Sequence, residues 1–268
     1  MAKTWDYIRP LNIEEEARRF ESGKPFRHIV VDDFLRPEFA REVCRAYPAY
    51  EDARASSERE FKAANEYHKI QIVDSSIFPE PVRLLSEALQ SRELLETLTE
   101  ITGIPDILAD SGYCGGGMHL METGSHLDLH VDFNHLDERL YRRLNIILYL
   151  NEDWQEGWGG DLDLWDGDVK ECAHVVAPVA NRVVIFNTVP RSFHGVRNVT
   201  CPADHSRNTF ASFYYTKEVP PEWEGKFEGT VWARRPGERR LMEVPERLLK
   251  AIPTTLRKAK RALQGRNG

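Results

Sequence analysis

Residues 126–137 read HLDLHVDFNHLD, and residues 144–150 read LNIILYL. The first stretch contains the pattern His-x-Asp three times, and the second has the length and apolar composition of a buried β-strand. Side chains two apart on a strand share a face, so the histidines and aspartates of the first two pairs are expected to project together. Two imidazoles and one carboxylate on a β scaffold are the ligand set of non-haem Fe(II) sites that keep coordination positions open.

The segment around these pairs, from Gly112 to Thr216, consists of short β-strand patterns separated by turn residues. Many short strands at close spacing favour a sandwich or a closed barrel over a parallel α/β sheet. The predicted strands are Tyr113–Met121, His126–Val131, Leu144–Leu150, Asp161–Trp165, His174–Ala177, Val183–Phe186 and Thr209–Tyr215.

The first third of the chain has a different, helix-rich pattern. A helix is predicted behind Pro37, where apolar residues recur every four positions, and a short strand is predicted before it at residues 28–31. A longer helix is predicted over residues 84–101 and ends at Gly103. Residues 50–70 are polar and without a pattern, which predicts a loop or lid.

We therefore expect three regions. Residues 1–111 form a helix-rich support within the same domain, residues 112–217 form the β core, and residues 218–268 form a C-terminal extension with a basic helix. After Glu246 this extension contains basic residues and no acidic ones. We interpret them as the solvated face of a helix in preference to a membrane-binding or partner-binding tail.

Composition limits the classes of partner. The net charge of −7, from 36 basic and 43 acidic residues, argues against nucleic-acid binding. No apolar stretch approaches the ~18 residues that a membrane span needs. The four cysteines are widely scattered, which is typical of reduced thiols, so a cytoplasmic location is expected. The oligomeric state is left open.

Strand alternation alone does not choose between the first two His-x-Asp pairs. The third pair, His135 with Asp137, lies in a stretch that predicts a loop or helical turn and is the weakest candidate. Context favours His130 and Asp132, because that pair closes the predicted strand where a ligand can reach into a barrel mouth. His194 and Arg207, far downstream, are the candidates to complete the site.

Further motifs follow these residues in a fixed order. They are LHVDFN at 129–134, RLNIILYLNEDW at 143–154, WGGDL at 158–162, NRVVIFN at 181–187, SFHGV at 192–196, and Arg207 with the strand Phe210–Tyr215. As a set they resemble the core of the prolyl-4-hydroxylase-like 2-oxoglutarate/Fe(II) oxygenases. The resemblance implies a mainly β (α+β) fold, with a double-stranded β-helix (jelly-roll or cupin-like) core and the N-terminal helices packed on one sheet.

The resemblance also implies roles for individual residues. His130, Asp132 and His194 correspond to the metal ligands, and Arg207 corresponds to the basic residue that pairs with the distal carboxylate of 2-oxoglutarate. Such a pairing suits a guanidinium, which grips a carboxylate through two parallel hydrogen bonds. Arg197 is the rival anchor, although its place directly after the SFHGV motif predicts a loop.

The remaining candidates lie around that constellation. Tyr149 matches the strand tyrosine that helps to hold the same carboxylate, or is a packed core aromatic, and Asn145 shares its face by alternation. Asp128, Arg142 and Trp165 are candidate substrate residues. Where many family members carry a tyrosine upstream of the ligand pair, this chain reads MHLM at 118–121.

By resemblance, the function is hydroxylation of an unactivated C–H bond with release of succinate and CO₂. The cofactors are then Fe(II), 2-oxoglutarate and O₂, with ascorbate as the reductant. The substrate is expected to be a small polar molecule or a prolyl or other peptide. The presence of Asp132 favours hydroxylation, because related halogenases have a small residue there. The alternative is a cupin-like metal-binding or sensing protein that does not turn over 2-oxoglutarate.

Overall fold

An antiparallel sheet runs through the chain, and helices cover one of its faces. The computed structural model describes residues 4–57, 59–136 and 139–238. The helices are α1 Thr4–Tyr7, α2 Ile13–Ser22, α3 Pro37–Ala46, α4 Tyr50–Ser56, α5 Glu80–Leu89 and α6 Arg92–Thr102. The strands are β1 His28–Val31, β2 Arg59–Ala63, β3 Glu66–Ile72, β4 Leu108–Ala109, β5 Gly117–Val131, β6 His135–Leu136, β7 Leu140–Tyr149, β8 Leu162–Trp165, β9 Cys172–Val176, β10 Val183–Asn187, β11 His194–Val196, β12 Arg207–Thr216 and β13 Val231–Ala233.

The long strand β5 joins the two halves of the sheet, whose order is β1–β10–β7–β12–β5–β11–β8–β9. The first part of β5 pairs with β12 and β3, so that Met118 lies opposite Phe210 and Ile72. Its last part pairs with β11, where His130 lies opposite His194. Because the two parts of β5 pair with different strands, the sheet folds over onto itself, as in a jelly roll. The double-stranded β-helix prediction is confirmed.

The main hydrophobic core lies between the helices and the outer face of the sheet. The helices contribute aliphatic and aromatic side chains, and so does the sheet. These include Phe39, Val43, Leu85, Leu89, Leu94 and Leu98 from the helices, and Ile146, Leu148, Ile185 and Phe210 from the sheet. Burying each such side chain contributes about 1.5–3 kcal/mol. This layer holds the N-terminal helices on one sheet, as predicted.

Strand β7 divides its side chains between that core and the interior of the jelly roll. Ile146 and Leu148 face the helices. By alternation Asn145, Ile147 and Tyr149 face the interior, where Tyr149 packs among apolar side chains of the second core cluster. The strand therefore anchors the helical layer and lines the functional cavity at once.

Three secondary-structure predictions are wrong. Residues 50–70 are not a loop, because α4 and the hairpin of β2 and β3 lie there. The predicted helix over residues 84–101 is two helices, since the Ser91 hydroxyl accepts a hydrogen bond from the Leu94 amide and starts α6. The two strands predicted at residues 113–121 and 126–131 are one strand, β5.

Other expectations lie outside what the structure tests. The basic helix predicted for the C-terminal extension falls on residues 239–268, outside the described residues, and Asp137 is also outside them. The region boundaries at residues 111 and 217 stay predictions. In the described part of the chain, no helix has both the length and the apolar character that crossing a bilayer requires.

Two glycines of β5 allow a direct test of close packing at the start of this strand. Gly117 and Gly124 have nearly equal φ angles of +86° and +85°. A Cβ on Gly117 would lie 2.2 Å from the Ile72 carbonyl oxygen, whereas nothing lies within 4 Å of one on Gly124. Each alanine substitution incurs a left-handed backbone cost of about 1–2 kcal/mol, but only G117A adds a clash.

We expect G117A to lower the free energy of unfolding by at least about 2 kcal/mol more than G124A does. Equilibrium urea denaturation of both variants measures the difference. Equal losses would mean that β3 and β5 do not approach each other as closely as described.

Candidate active site

Three potential metal ligands meet at the interior end of β5. His130 lies near the end of that strand, Asp132 follows its last residue, and His194 begins β11. One ligand atom from each lies within 4.8 Å of the others. The Nε2 atoms of His130 and His194 are 3.5 and 3.6 Å from the two Asp132 carboxylate oxygens. The structure thus brings together the three residues that the sequence singled out.

Backbone carbonyls orient both imidazoles. Nδ1 of His130 donates to the Asp128 carbonyl at 2.9 Å, and Nδ1 of His194 donates to the Ser192 carbonyl at 2.9 Å. Because a carbonyl only accepts, each ring carries its proton on Nδ1 and presents the Nε2 lone pair to the site. Burial, with His130 beside it, lowers the pKa of His194 to about 4, which keeps its imidazole neutral.

Asp132 is held as a carboxylate by its neighbours. The Asn145 side-chain amide donates to its Oδ2 at 3.1 Å, and Nη1 of Arg142 lies 3.4 Å from the same oxygen. Burial opposes ionisation, but the Arg142 guanidinium and the two histidines outweigh it and hold the pKa of Asp132 well below its usual range. The site therefore presents a carboxylate beside the Nε2 atoms of two imidazoles.

Arg142 itself is buried behind the ligand. Its guanidinium carbon lies 3.5 Å from the Phe133 ring centroid and 3.7 Å from that of Phe213, so the cation is held between two aromatic faces. Its Nε and Nη1 have no hydrogen-bond partner among the described residues. The sequence placed Arg142 near the mouth, and it does line the cavity there, but its charge is directed at Asp132.

Arg207 occupies the other end of the cavity. It is 3% exposed, its Nε donates to the Gly160 carbonyl, and Nη1 contacts the Met121 sulfur at 3.8 Å. A Cβ on Gly160 would lie 2.8 Å from Cδ of Arg207, so glycine is needed for this approach. Within the described ranges no carboxylate lies at ion-pair distance from the guanidinium.

Tyr149 completes that end of the cavity. Its ring centroid lies 5.2 Å from the Arg207 guanidinium carbon. The side chain is fully buried, and burial raises the pKa of its hydroxyl to about 12, so the hydroxyl stays protonated. Neither this hydroxyl nor Oδ1 of Asn145 has a hydrogen-bond partner in the part of the chain that the structure describes.

A bulge in β5 separates another candidate, Asp128, from this cavity. His194 pairs with His130 but Val196 pairs with Leu127, so β5 has one extra residue between these pairs. The bulge breaks the alternation, and Leu127 lines the cavity while Asp128 does not. The expectation that Asp128 shares the face of His130 is therefore wrong for this strand.

Two further candidates have other partners. Nε1 of Trp165 donates to the buried Asp163 carboxylate, and Arg197 lies 3.7 Å from the same carboxylate. Neither residue lines the cavity at the ligands. The predicted substrate contacts of Asp128 and Trp165 gain no support from these positions, and Arg207, not Arg197, is the arginine that faces the interior.

The sequence reasoning missed several residues that line the cavity. Lys69 from β3 and Thr209 from β12 face it. His119 and Met121 do so too, in the segment where a tyrosine was expected. The cavity encloses about 550 Å³, part of it open to solvent. Lys69 carries no local signal, because it reaches the site only through the pairing of β3 with β5.

Comparison with known families agrees with this geometry. Residues 116–215, which contain every candidate described above except Lys69, match the sequence model of the 2OG-Fe(II) oxygenase superfamily. This segment of the chain is similar to the superfamily. It begins just before β5 and ends within β12.

Proteins similar to this chain include prolyl hydroxylases. Prolyl 3-hydroxylase OGFOD1 of Mus musculus is 36% identical over 95 residues, which span 33% of this chain and 17% of the mouse protein. The structure of a Pseudomonas putida prolyl-4-hydroxylase aligns with a TM-score of 0.53 and 19% identity, covering 76% of this chain and 99% of that one.

A Trichoplax adhaerens prolyl hydroxylase, solved with a hypoxia inducible factor oxygen degradation domain peptide fragment, aligns with a TM-score of 0.53 and 15% identity. It covers 80% of this chain and 94% of that one. At these identities the structural likeness shows a shared fold.

The residues present fit the groups that the oxygenase family implies. Two imidazoles and one carboxylate on adjacent strands form the facial donor set suited to Fe(II). The buried Arg207 guanidinium and the nearby Tyr149 hydroxyl are hydrogen-bond donors of the kind that a carboxylate such as that of 2-oxoglutarate accepts.

The donor geometry predicts where a divalent metal binds. Replacing His194 with alanine removes one of three ligands, and we expect at least about a hundredfold weaker binding of Co(II), a visible probe for the site. H126A is the control, because His126 belongs to the neighbouring His-x-Asp pair and its Nε2 contacts the Ala64 carbonyl. Titration followed by visible absorption measures both, and equal affinity in the two variants would place the metal elsewhere.

Proposed function

We propose that this chain is an Fe(II)- and 2-oxoglutarate-dependent dioxygenase that hydroxylates an unactivated C–H bond of a prolyl or other peptidyl substrate, or of a small polar molecule. The observation that carries the proposal is the position of a buried, carboxylate-free Arg207 in the same cavity as His130, Asp132 and His194. Burying an unpaired guanidinium is costly, and the cost is offset when an anion binds there.

In this proposal each residue has a defined task. His130, Asp132 and His194 hold the metal on one side and leave its other positions open. Arg207 and Tyr149 bind the distal carboxylate of 2-oxoglutarate. Asn145 fixes Asp132 through its amide, and its free Oδ1 faces the same interior.

When bound, the metal and 2-oxoglutarate together activate O₂, so that succinate and CO₂ are released and one oxygen atom enters the substrate C–H bond. The protein residues supply position and exclude water. Arg142 keeps Asp132 ionised, and the carbonyls behind both histidines keep their Nε2 lone pairs directed at the metal. Because Asp132 fills the third protein position, hydroxylation is the proposed outcome.

The substrate would enter through a second cavity, of about 690 Å³, which also borders His130 and Asp132. This outer cavity has aromatic walls from Phe61, Phe133 and Trp232. The Trp232 ring centroid lies 5.2 Å from that of His130, so a molecule resting on this wall lies beside the metal. Arg142 borders the same cavity, where its positive charge, shared with Asp132, would attract an acceptor group of the substrate.

The proposal includes a cellular setting. The four cysteines are free, which suits a reducing compartment such as the cytoplasm. Ascorbate is the proposed reductant that restores Fe(II) after turnovers without substrate.

Succinate formation tests the proposed function. Protein with Fe(II), ascorbate and 2-oxoglutarate should release succinate slowly in air even without a substrate. R207A should raise the dissociation constant for 2-oxoglutarate at least about thirtyfold, because a buried charge-assisted pair is lost. R197A is the matched control, since Arg197 pairs with Asp163 outside the cavity.

The dissociation constants are read from the visible charge-transfer band that 2-oxoglutarate gives with the Fe(II) protein under anaerobic conditions. If no succinate forms and no band develops, the chain is a metal-binding or sensing protein of cupin type. If R197A loses affinity and R207A keeps it, the two arginines have been assigned the wrong way round.

A further inference from the structure

Strand β3 contains a bulge that turns two charged side chains to the same side. Glu66 and Lys69 are three residues apart, so a regular strand would send them to opposite faces. Between them His68 has a φ of +51°, and its neighbours Lys69 and Tyr67 pair with the consecutive residues Phe61 and Lys62 of β2, so His68 is the extra residue. A left-handed histidine costs about 1–2 kcal/mol, and bulges beside active sites commonly re-aim side chains.

The surrounding structure holds this bulge in place. Nδ1 of His68 contacts the Glu122 carboxylate at 2.5 Å. The His68 carbonyl accepts hydrogen bonds from the hydroxyls of Tyr50, at 3.1 Å, and Ser125, at 2.7 Å. Backbone strain that neighbours hold at three points is a feature of functional sites.

The result is a buried ion pair. Nζ of Lys69 lies 2.7 Å from Oε1 of Glu66, and their side chains are only 10% and 15% exposed. Desolvation cancels most of the attraction in such pairs, and apolar residues of similar volume often stabilise a protein as well or better. Stability therefore does not explain why this pair is placed here.

The position of the pair relates it to the active site. Lys69 lies opposite Met121, and Met121 lies opposite Arg207, so the three residues form one row across β3, β5 and β12. Lys69 lines both the ligand cavity and the outer cavity, and Glu66 lines the outer one. The pair thus lies on the wall of the cavity whose lining also includes His130 and Asp132.

The chemistry of the pair defines what it can recognise. The ammonium group has three N–H donors, of which Glu66 uses one. The carboxylate offers acceptor positions beside them. A lone anion would be repelled by Glu66 and a lone cation by Lys69, whereas a group with an acceptor and a donor side by side is attracted to both.

We propose that Lys69 and Glu66 determine substrate specificity by binding such a group, either the amide of a peptide main chain or the amino and carboxylate groups of a free amino acid. The assignment rests on the proposed dioxygenase function and adds to it the residues that select the substrate. Lys69 donates to the carbonyl or carboxylate oxygen, and Glu66 accepts from the amide or ammonium nitrogen.

The test uses two probe pools with the full-length Fe(II) protein. One pool contains short random-sequence peptides with acetylated and amidated ends, and the other contains the free proteinogenic amino acids. Succinate formation is measured with each pool and without either. We expect one pool to stimulate turnover, and mass spectrometry to find a product with one added oxygen in that pool. The identity of the stimulating pool shows whether the substrate is a peptide or a free amino acid.

The variant E66Q/K69M removes both charges together, so that neither is left buried alone. We expect the half-saturating concentration of the stimulating pool to rise about tenfold, because a hydrogen bond to a charged group is lost. The maximal rate should change much less. E60Q/K62M is the matched control, because Lys62 and Glu60 form an ion pair on the neighbouring strand β2 and line neither cavity. It should keep the wild-type value.

A second variant covers the case in which E66Q/K69M does not fold. E66K/K69E keeps a buried pair but exchanges donor and acceptor, and it should also raise the half-saturating concentration. The inference is overturned if wild-type protein forms basal succinate but responds to neither pool. It is also overturned if E66Q/K69M weakens only 2-oxoglutarate binding, or matches E60Q/K62M. Absence of basal succinate would instead contradict the dioxygenase function itself.

Discussion

Main-chain pairing between β5 and β11 places His130 directly opposite His194, and the metal site depends on this register. The two histidines belong to different halves of the jelly roll, which meet only because β5 leaves β12 and continues beside β11. One residue of slip would turn a histidine away from the site. The bulge between Leu127 and His130 sets the register and also excludes Asp128 from the cavity.

Two arginines and one carboxylate are largely buried around the cavity, and the two arginines differ in the groups that surround their charge. Arg142 lies between two aromatic rings and beside Asp132, so its charge is compensated within the protein. Among the described residues, Arg207 contacts a carbonyl, a sulfur and an aromatic ring. The first arginine thus keeps the Asp132 carboxylate ionised, whereas the second leaves a position that a ligand's carboxylate can fill.

The mouth of the site is built from segments outside the family's conserved order of motifs. The β2–β3 hairpin forms one side, and β13 forms another by pairing with the last residues of β5. A buried pair fastens β13: Nε and Nη2 of Arg235 donate to the two Asp163 oxygens at 2.7 and 2.8 Å. In the proposed function the common core would position the metal and 2-oxoglutarate, while these added segments shape the cavity through which a substrate reaches them.

The sequence by itself determined the fold class, the three candidate ligands and the arginine at the far end of the cavity. Each lies in a local motif whose residue types are tied to one chemistry, and the motifs keep their order along the chain. Local patterns also predicted most strands of the core, because alternation and turn residues are properties of short segments.

Only the tertiary structure decided which side chains share the cavity with those ligands. The polar stretch at residues 50–70 gave no pattern, yet its hairpin brings Lys69 to the site through pairing with β5. Alternation also failed at Asp128 and between Glu66 and Lys69, where bulges add residues that no period of two can anticipate. Register and bulges arise from contacts between distant strands, so they become visible only when those strands are paired.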